Sequence, residues 1–185
     1  MEPLLTAFAA ALLGGWADKT QAVAAMLAER YRGRVLLPAL TLAVAANSIA
    51  SAVGGSLLRL EISAHAAALL LAVALAFAGV AGLIGERAKQ PTQRAGAFLT
   101  SLVSLFAAGW GDKTQYLVAA LAAYYGNVPL VAAGAFVGTL AVTMPAAVGG
   151  AAFTRAAPLK PLRLVFGPVF LIAGGVVLVN ALHLV

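Results

Sequence analysis

The chain has 185 residues, 63% hydrophobic and only 10% charged, with a net charge of +6 and no cysteine. A soluble domain carries about 25% charged residues and could not hide so much apolar surface, so a soluble fold is excluded. The missing cysteines also exclude a disulfide framework and a thiolate metal site.

Apolar runs of about 20 residues recur along the whole length, the signature of a polytopic membrane protein. Spans in lipid must satisfy their own backbone hydrogen bonds, and the alternating pattern of a membrane barrel is missing. The expected class is therefore all-α and integral to the membrane. The basic residues sit in short loops between the runs. That distribution suits anionic lipid head groups and argues against a nucleic-acid partner.

Span one runs from about Leu4 to Ala28. Its start, Met1-Glu2-Pro3, lacks a basic n-region, so the run is expected to be retained and not cleaved as a signal peptide. A basic loop follows, with Arg30, Arg32 and Arg34. Span two runs from about Val35 to Leu58 and holds Asn47, Ser48, Ser51 and Gly54-Gly55. A short loop with Arg59, Glu61 and His65 leads to span three, about Ala66 to Gly85. The polar segment 87–94, with Pro91, reads as a cytoplasmic linker between a first unit, 1–86, and a second, 95–185. Span four covers about Ala95 to Ala123. The uncharged loop Tyr124-Tyr125-Gly126-Asn127 suits a membrane interface. Span five, about Val128 to Phe153, carries Thr139, Thr143, Gly149-Gly150 and Pro145, which is placed to kink it. After Arg155, Pro158, Lys160, Pro161 and Arg163 comes span six, about Leu164 to Leu184. His65 and His183 fall near span ends and read as interfacial.

One stretch occurs twice. Gly15-Trp16-Ala17-Asp18-Lys19-Thr20-Gln21 returns 94 residues later as Gly109-Trp110-Gly111-Asp112-Lys113-Thr114-Gln115. Ala52-Val53-Gly54-Gly55 returns, at nearly the same offset, as Ala147-Val148-Gly149-Gly150, which sets Ser48 opposite Thr143. The chain is an internal duplication. Loops after spans one, three and five carry Arg30, Arg32, Arg34, Arg87, Lys89, Arg94, Arg155, Lys160 and Arg163, against Arg59 alone on the other side. The positive-inside rule then puts both termini outside the cytoplasm. Three spans per unit turn the second unit the other way up. The expected architecture is six transmembrane helices as two inverted three-helix repeats, with a site near the midplane where the repeats meet.

Both motifs fall near mid-span, where each charge costs roughly 2.5–3.5 kcal/mol to insert and so implies a function. On a continuous helix Asp18 and Gln21 share a face, with Gly15 one turn earlier and Lys19 turned about 100° away; the second copy repeats this. Two carboxylates with amide and hydroxyl oxygens from Gln21, Gln115, Thr20 and Thr114 make a hard-oxygen site suited to calcium, magnesium or manganese. A carboxylate can also trade its proton for the cation. Lys19 and Lys113 read as gating or charge partners, and Asn47, Ser48 and Thr143 as groups behind the ligands. Two alternatives stay open. Asp18 with Lys113, and Asp112 with Lys19, could be crosslinks between the units, or the site could take a monovalent ion or small polar solute. Trp16 and Trp110 read as packing or plugging residues, and the glycine pairs and Gly134-Ala135-Phe136-Val137-Gly138 as close helix contacts. No nucleophile–base–acid set, phosphate loop or zinc spacing is present, so an enzyme is not expected.

The duplicated Asp-Lys-Thr-Gln core, preceded by glycine in the second copy and found in the first span of each half, resembles the GDT family of cation/proton exchangers, which includes Golgi manganese and calcium transporters and bacterial relatives. The resemblance covers the six-span layout. It implies manganese or calcium export from the cytoplasm against protons, with the ion as substrate and no cofactor, in a bacterial inner membrane. The family pattern is Glu-x-Gly-Asp-(Lys/Arg)-(Thr/Ser). Its glutamate falls at Gly15 and Gly109, and its glycine at Ala17 in the first copy but Gly111 in the second. With two aspartates and two lysines left, the site is formally neutral. Divalent affinity tracks ligand charge, so a weaker or more hydrated ion is implied. The oligomeric state is left open by the sequence.

Overall fold

The computed structural model describes residues 1–84, 88, 90–91, 96–157 and 159–182, without the side chains of residues 159 and 160. Arg87, Lys89, Arg94, Pro158 and His183, with most of segment 87–94 and the Lys160 side chain, lie outside the described residues. The described chain folds into helices and no strands: α1 (Glu2–Gly14), α2 (Lys19–Arg30), α3 (Gly33–Glu61), α4 (Ala64–Ile84), α5 (Ala97–Gly109), α6 (Lys113–Tyr125), α7 (Val128–Ala156) and α8 (Leu159–Ala181).

Four helices are long and apolar enough to cross a membrane: α3, α4, α7 and the 161–181 part of α8. Large apolar side chains such as Ile49, Val73 and Ile172 face outward, each more than half exposed. Lipid, not water, is the solvent for such a surface. The molecule is an all-α membrane protein.

The first and fourth apolar runs are not continuous helices. Each stops at its motif and restarts after it, which corrects the placement of the motif residues on one helical face. The reason is local. Ala17 (φ 56) and Gly111 (φ 70) take left-handed backbone, and Asp18 and Asp112 are extended. No α-helix passes through such residues. Gly15 and Gln21 therefore belong to different helices, with Gly15 ending α1 and Gln21 in the first turn of α2.

The halves pack into each other. α1 and α2 lie against α7, while α5 and α6 lie against α3, and α4 pairs with α8. Small residues allow this approach. A methyl group on Gly134 or Gly138 of α7 would run into the α1 carbonyls of Leu4 or Phe8, and one on Gly55 into Ala119 of α6. In lipid, where burial does not drive helices together, such close packing does. Gly54, by contrast, meets nothing nearby. α7 continues through Pro145, and the kink expected there falls instead at Gly150 (φ 51, ψ −133), where two helical segments meet.

Two ends of the bundle are distinct. At one, Arg59 donates to the carbonyls of Ala123 and Tyr124 (2.7 Å each) and caps α6, while Tyr125 donates to Glu2 at the start of α1 (3.1 Å). At the other, Arg30 donates to the Pro91 carbonyl (3.2 Å), and the end of α2 lies against Gly150 of α7.

Candidate functional site

The two helix breaks face one another around a cavity of about 40 Å³. That is room for about three waters, or an ion with part of its hydration shell. From the breaks, Gly15, Asp18, Gly109 and Asp112 line it. From the first turns of α2 and α6 come Thr20, Thr114 and Gln115. From α3 come Asn47, Ser48 and Ser51, and from α7 Thr139 and Thr143. Ser51 and Thr139 were not singled out from the sequence as site residues. They sit one helical turn from Asn47 and Thr143, and that spacing on two facing spans was the available signal.

Asp18 and Asp112 are the N-cap residues of α2 and α6. An N-cap carboxylate sits beside orphan backbone N–H groups at the positive end of the helix dipole. Asp112 Oδ2 accepts from the Thr114 N–H (3.4 Å). Both aspartates are buried, at 5% and 2% exposure.

The glutamines close each break. The Gln21 Oε1 accepts from the Ala17 N–H (3.0 Å), and the Gln115 carbonyl oxygen accepts from the Gly111 N–H. This is a capping-box arrangement with the back-bond one residue earlier. Gln21 also donates to the Val142 carbonyl of α7 (3.0 Å) and is 1% exposed. Gln21 is not in the cavity lining, whereas Gln115 is.

Lys113 is buried and its Nζ lies 3.4 Å from Asp18 Oδ1, an ion pair from one motif copy to the other. Lys19 is half-buried. Neither lysine lines the cavity between the breaks. Lys113 instead borders a second, smaller space of about 10 Å³ with Trp16, Arg163, Phe166 and Phe170. The carboxylates thus face the larger cavity and the aromatic plug lies behind Lys113.

Among the described residues, no three His, Cys, Asp or Glu side chains gather at one point. A cation held here would rely on two carboxylates and on neutral oxygens. Two such oxygens stand out. Thr114 Oγ1 and Asn47 Oδ1 are buried and have no hydrogen-bond partner, although both residues line the cavity. Buried polar atoms are almost always satisfied, so a pair of orphans in the lining of one cavity marks a place for a ligand or water.

Comparison with known proteins matches the chain to the family model described as "Divalent cation/proton antiporter GDT1", once over residues 3–90 and again over 97–184. A protein of Vibrio cholerae serotype O1, named "Putative manganese exporter", is 30% identical over 161 residues, covering 84% of this chain and 80% of that protein. No solved structure matches.

Proposed function

We propose that this chain, which belongs to the GDT1 family of divalent cation/proton antiporters, exports manganese or calcium from the cytoplasm in exchange for protons. Membership makes it a cation transporter and not an enzyme. The observation that carries the finer reading is the cavity itself, where Asp18 and Asp112, one from each motif copy, meet amid hydroxyl and amide oxygens.

In this reading each broken pair, α1 with α2 and α5 with α6, crosses the bilayer as one interrupted span. The chain then has six spans in two inverted units, 1–86 and 95–185, joined by a cytoplasmic linker at 87–94. The clustering of Arg30, Arg32, Arg34 and Arg155 at or beside helix ends, opposite Arg59, supports both termini lying outside the cytoplasm of a bacterial inner membrane. Broken helices with polar interruptions at mid-depth are a recurrent way of building an ion site in such transporters.

Asp18 and Asp112 are the charged ligands, with Thr20, Thr114, Gln115 and Gln21 as oxygen donors or their supports. Ser48 and Thr143 stand behind them. The pair between Lys113 and Asp18 defines the resting state. A dication entering the cavity competes with the ammonium for the carboxylate, so Lys113 must withdraw toward Trp16 as the ion binds. When the ion leaves, the carboxylates take up protons, which the next ion displaces to the other side, and this exchange couples the two fluxes. By the duplication, Lys19 is assigned the corresponding part toward Asp112. The ion is the substrate, and no cofactor enters the scheme.

The test is manganese and calcium flux in proteoliposomes with an internal pH dye. Wild type is expected to move ions with protons running the other way, and Asp18→Asn and Asp112→Asn to abolish both. Undiminished flux in both variants would refute the site.

One observation favours a second reading. The Lys113–Asp18 pair is also what a structural crosslink between halves would look like. The charge-swapped double variant Asp18→Lys/Lys113→Asp separates the two, since a crosslink survives the exchange and a cation site does not. Flux of a monovalent ion or small polar solute, with no divalent flux, would instead point to the same fold with another substrate.

A further inference from the structure

We propose that Asn47 is a direct ligand of the transported ion through Oδ1, supplying from α3 the oxygen that Gly109 cannot supply from α5. The inference rests on the cation-site reading above and adds a ligand to it.

Three observations converge on this residue. The first is space. A methyl group built on Gly109 would run into the Asn47 side-chain amide nitrogen, would lie 3.2 Å from its Cγ and would stand 3.8 Å from Thr20 Oγ1. The asparagine head group therefore fills the volume into which a side chain at position 109 would project. The second is orientation. Asn47 Nδ2 donates to the carbonyl of Phe106, near the end of α5 (3.1 Å). A carbonyl can only accept, so the nitrogen is held against α5 and the oxygen is turned from it. That oxygen is buried and without a partner in a residue lining the cavity. The third is a second unpartnered oxygen on the same cavity. Thr114 Oγ1, in the first turn of α6, is likewise buried without a partner in the same lining.

The other half of the molecule provides an internal control. The duplication sets Val142 of α7 opposite Asn47 of α3. A methyl on Gly15 would meet Val142 at an ordinary 3.5 Å, and the Val142 carbonyl is already engaged by Gln21. The first copy thus has an apolar side chain where the second has an amide. The site is lopsided: α3 offers it a side-chain amide oxygen, and α7 offers none at the matching position. Neutral oxygens can replace water around a hard dication but add no charge, so the ion is held less tightly than by four carboxylates and keeps part of its hydration.

The experiment measures manganese binding by titration calorimetry on detergent-purified protein, with flux in proteoliposomes, for wild type, Asn47→Val and Gly109→Glu/Asn47→Ala. Asn47→Val copies the other half and is expected to weaken binding about tenfold or more. Gly109→Glu alone has no room and is expected to bind poorly. Combined with Asn47→Ala, it returns an oxygen with a charge and is expected to bind at least as tightly as wild type. Wild-type affinity in Asn47→Val overturns the inference and leaves the cation-site reading standing, since Asn47 would then only clamp α3 to α5. If Asn47→Val does not fold, the double variant decides. It has lost the same clamp, so manganese binding supports the inference and folded protein without binding overturns it. A wild type that neither binds nor moves a divalent cation overturns the inference and the reading together.

Discussion

The two motif copies differ in sequence only at Ala17 and Gly111, yet their surroundings differ far more. In the first copy Gln21 is buried, spans its own helix break and ties it to the α7 backbone. In the second, Gln115 closes its break and also lines the cavity. Gly15 faces Val142, while Gly109 faces Asn47. Trp16 is half-buried beside the small cavity behind Lys113, whereas Trp110 is 56% exposed and stacks on Phe106 (5.4 Å between rings). A duplicated motif gives two similar backbones, but the opposing helix decides what each can do. Both copies line the cavity, but the glutamine of the first is anchored to α7 while that of the second opens onto the cavity.

The largest expected effect comes from the lysines. Lys113→Met leaves Asp18 buried without its ion-pair partner and is expected to cost about 3–5 kcal/mol of stability. Lys19→Met, at a half-buried position, should cost clearly less. Thermal unfolding in detergent compares them, and equal losses would mean that the two copies carry equivalent pairs.

The glutamines come next. Gln21→Leu strands the Ala17 N–H and removes the tie to Val142, an expected loss of about 1–3 kcal/mol. Gln115→Leu strands the Gly111 N–H but cuts no tie to another helix, so its stability loss should be smaller while its effect on ion affinity is larger. The reverse ranking would undo the division into anchored and open glutamines.

The smallest effect sharpens the one difference in sequence. Ala17 holds a left-handed conformation that costs a non-glycine residue about 1–2 kcal/mol. Ala17→Gly is therefore expected to raise stability by about 1 kcal/mol and Gly111→Ala to lower it by a similar amount. Both changes would be read as shifts in melting temperature of opposite sign.

Much of this was legible in the amino acids. Long apolar runs mark α3, α4 and α7 to within a few residues, and the repeat sets Ser48 opposite Thr143, both of which line the cavity. The Lys113–Asp18 pair stood among the alternatives because each copy carries both charges. The helix breaks were missed, because hydropathy runs unbroken through both motifs. Yet a local signal was there. Asp18-Lys19-Thr20-Gln21 and Asp112-Lys113-Thr114-Gln115 have the spacing of a capping box, an N-cap acid with glutamine three residues on. Reading it would have placed each aspartate at a helix start. The opposition of Asn47 to Gly109 had no such signal, since it depends on how α3 crosses α5 in space.

The central claim is that the two copies build one ion site and not two. Manganese titration of wild type, Asp18→Asn and Asp112→Asn tests it most directly. The account predicts one ion per chain in wild type and binding lost in either variant, because each removes a ligand of the same site. Two ions per chain, or full affinity surviving in one variant, would contradict it.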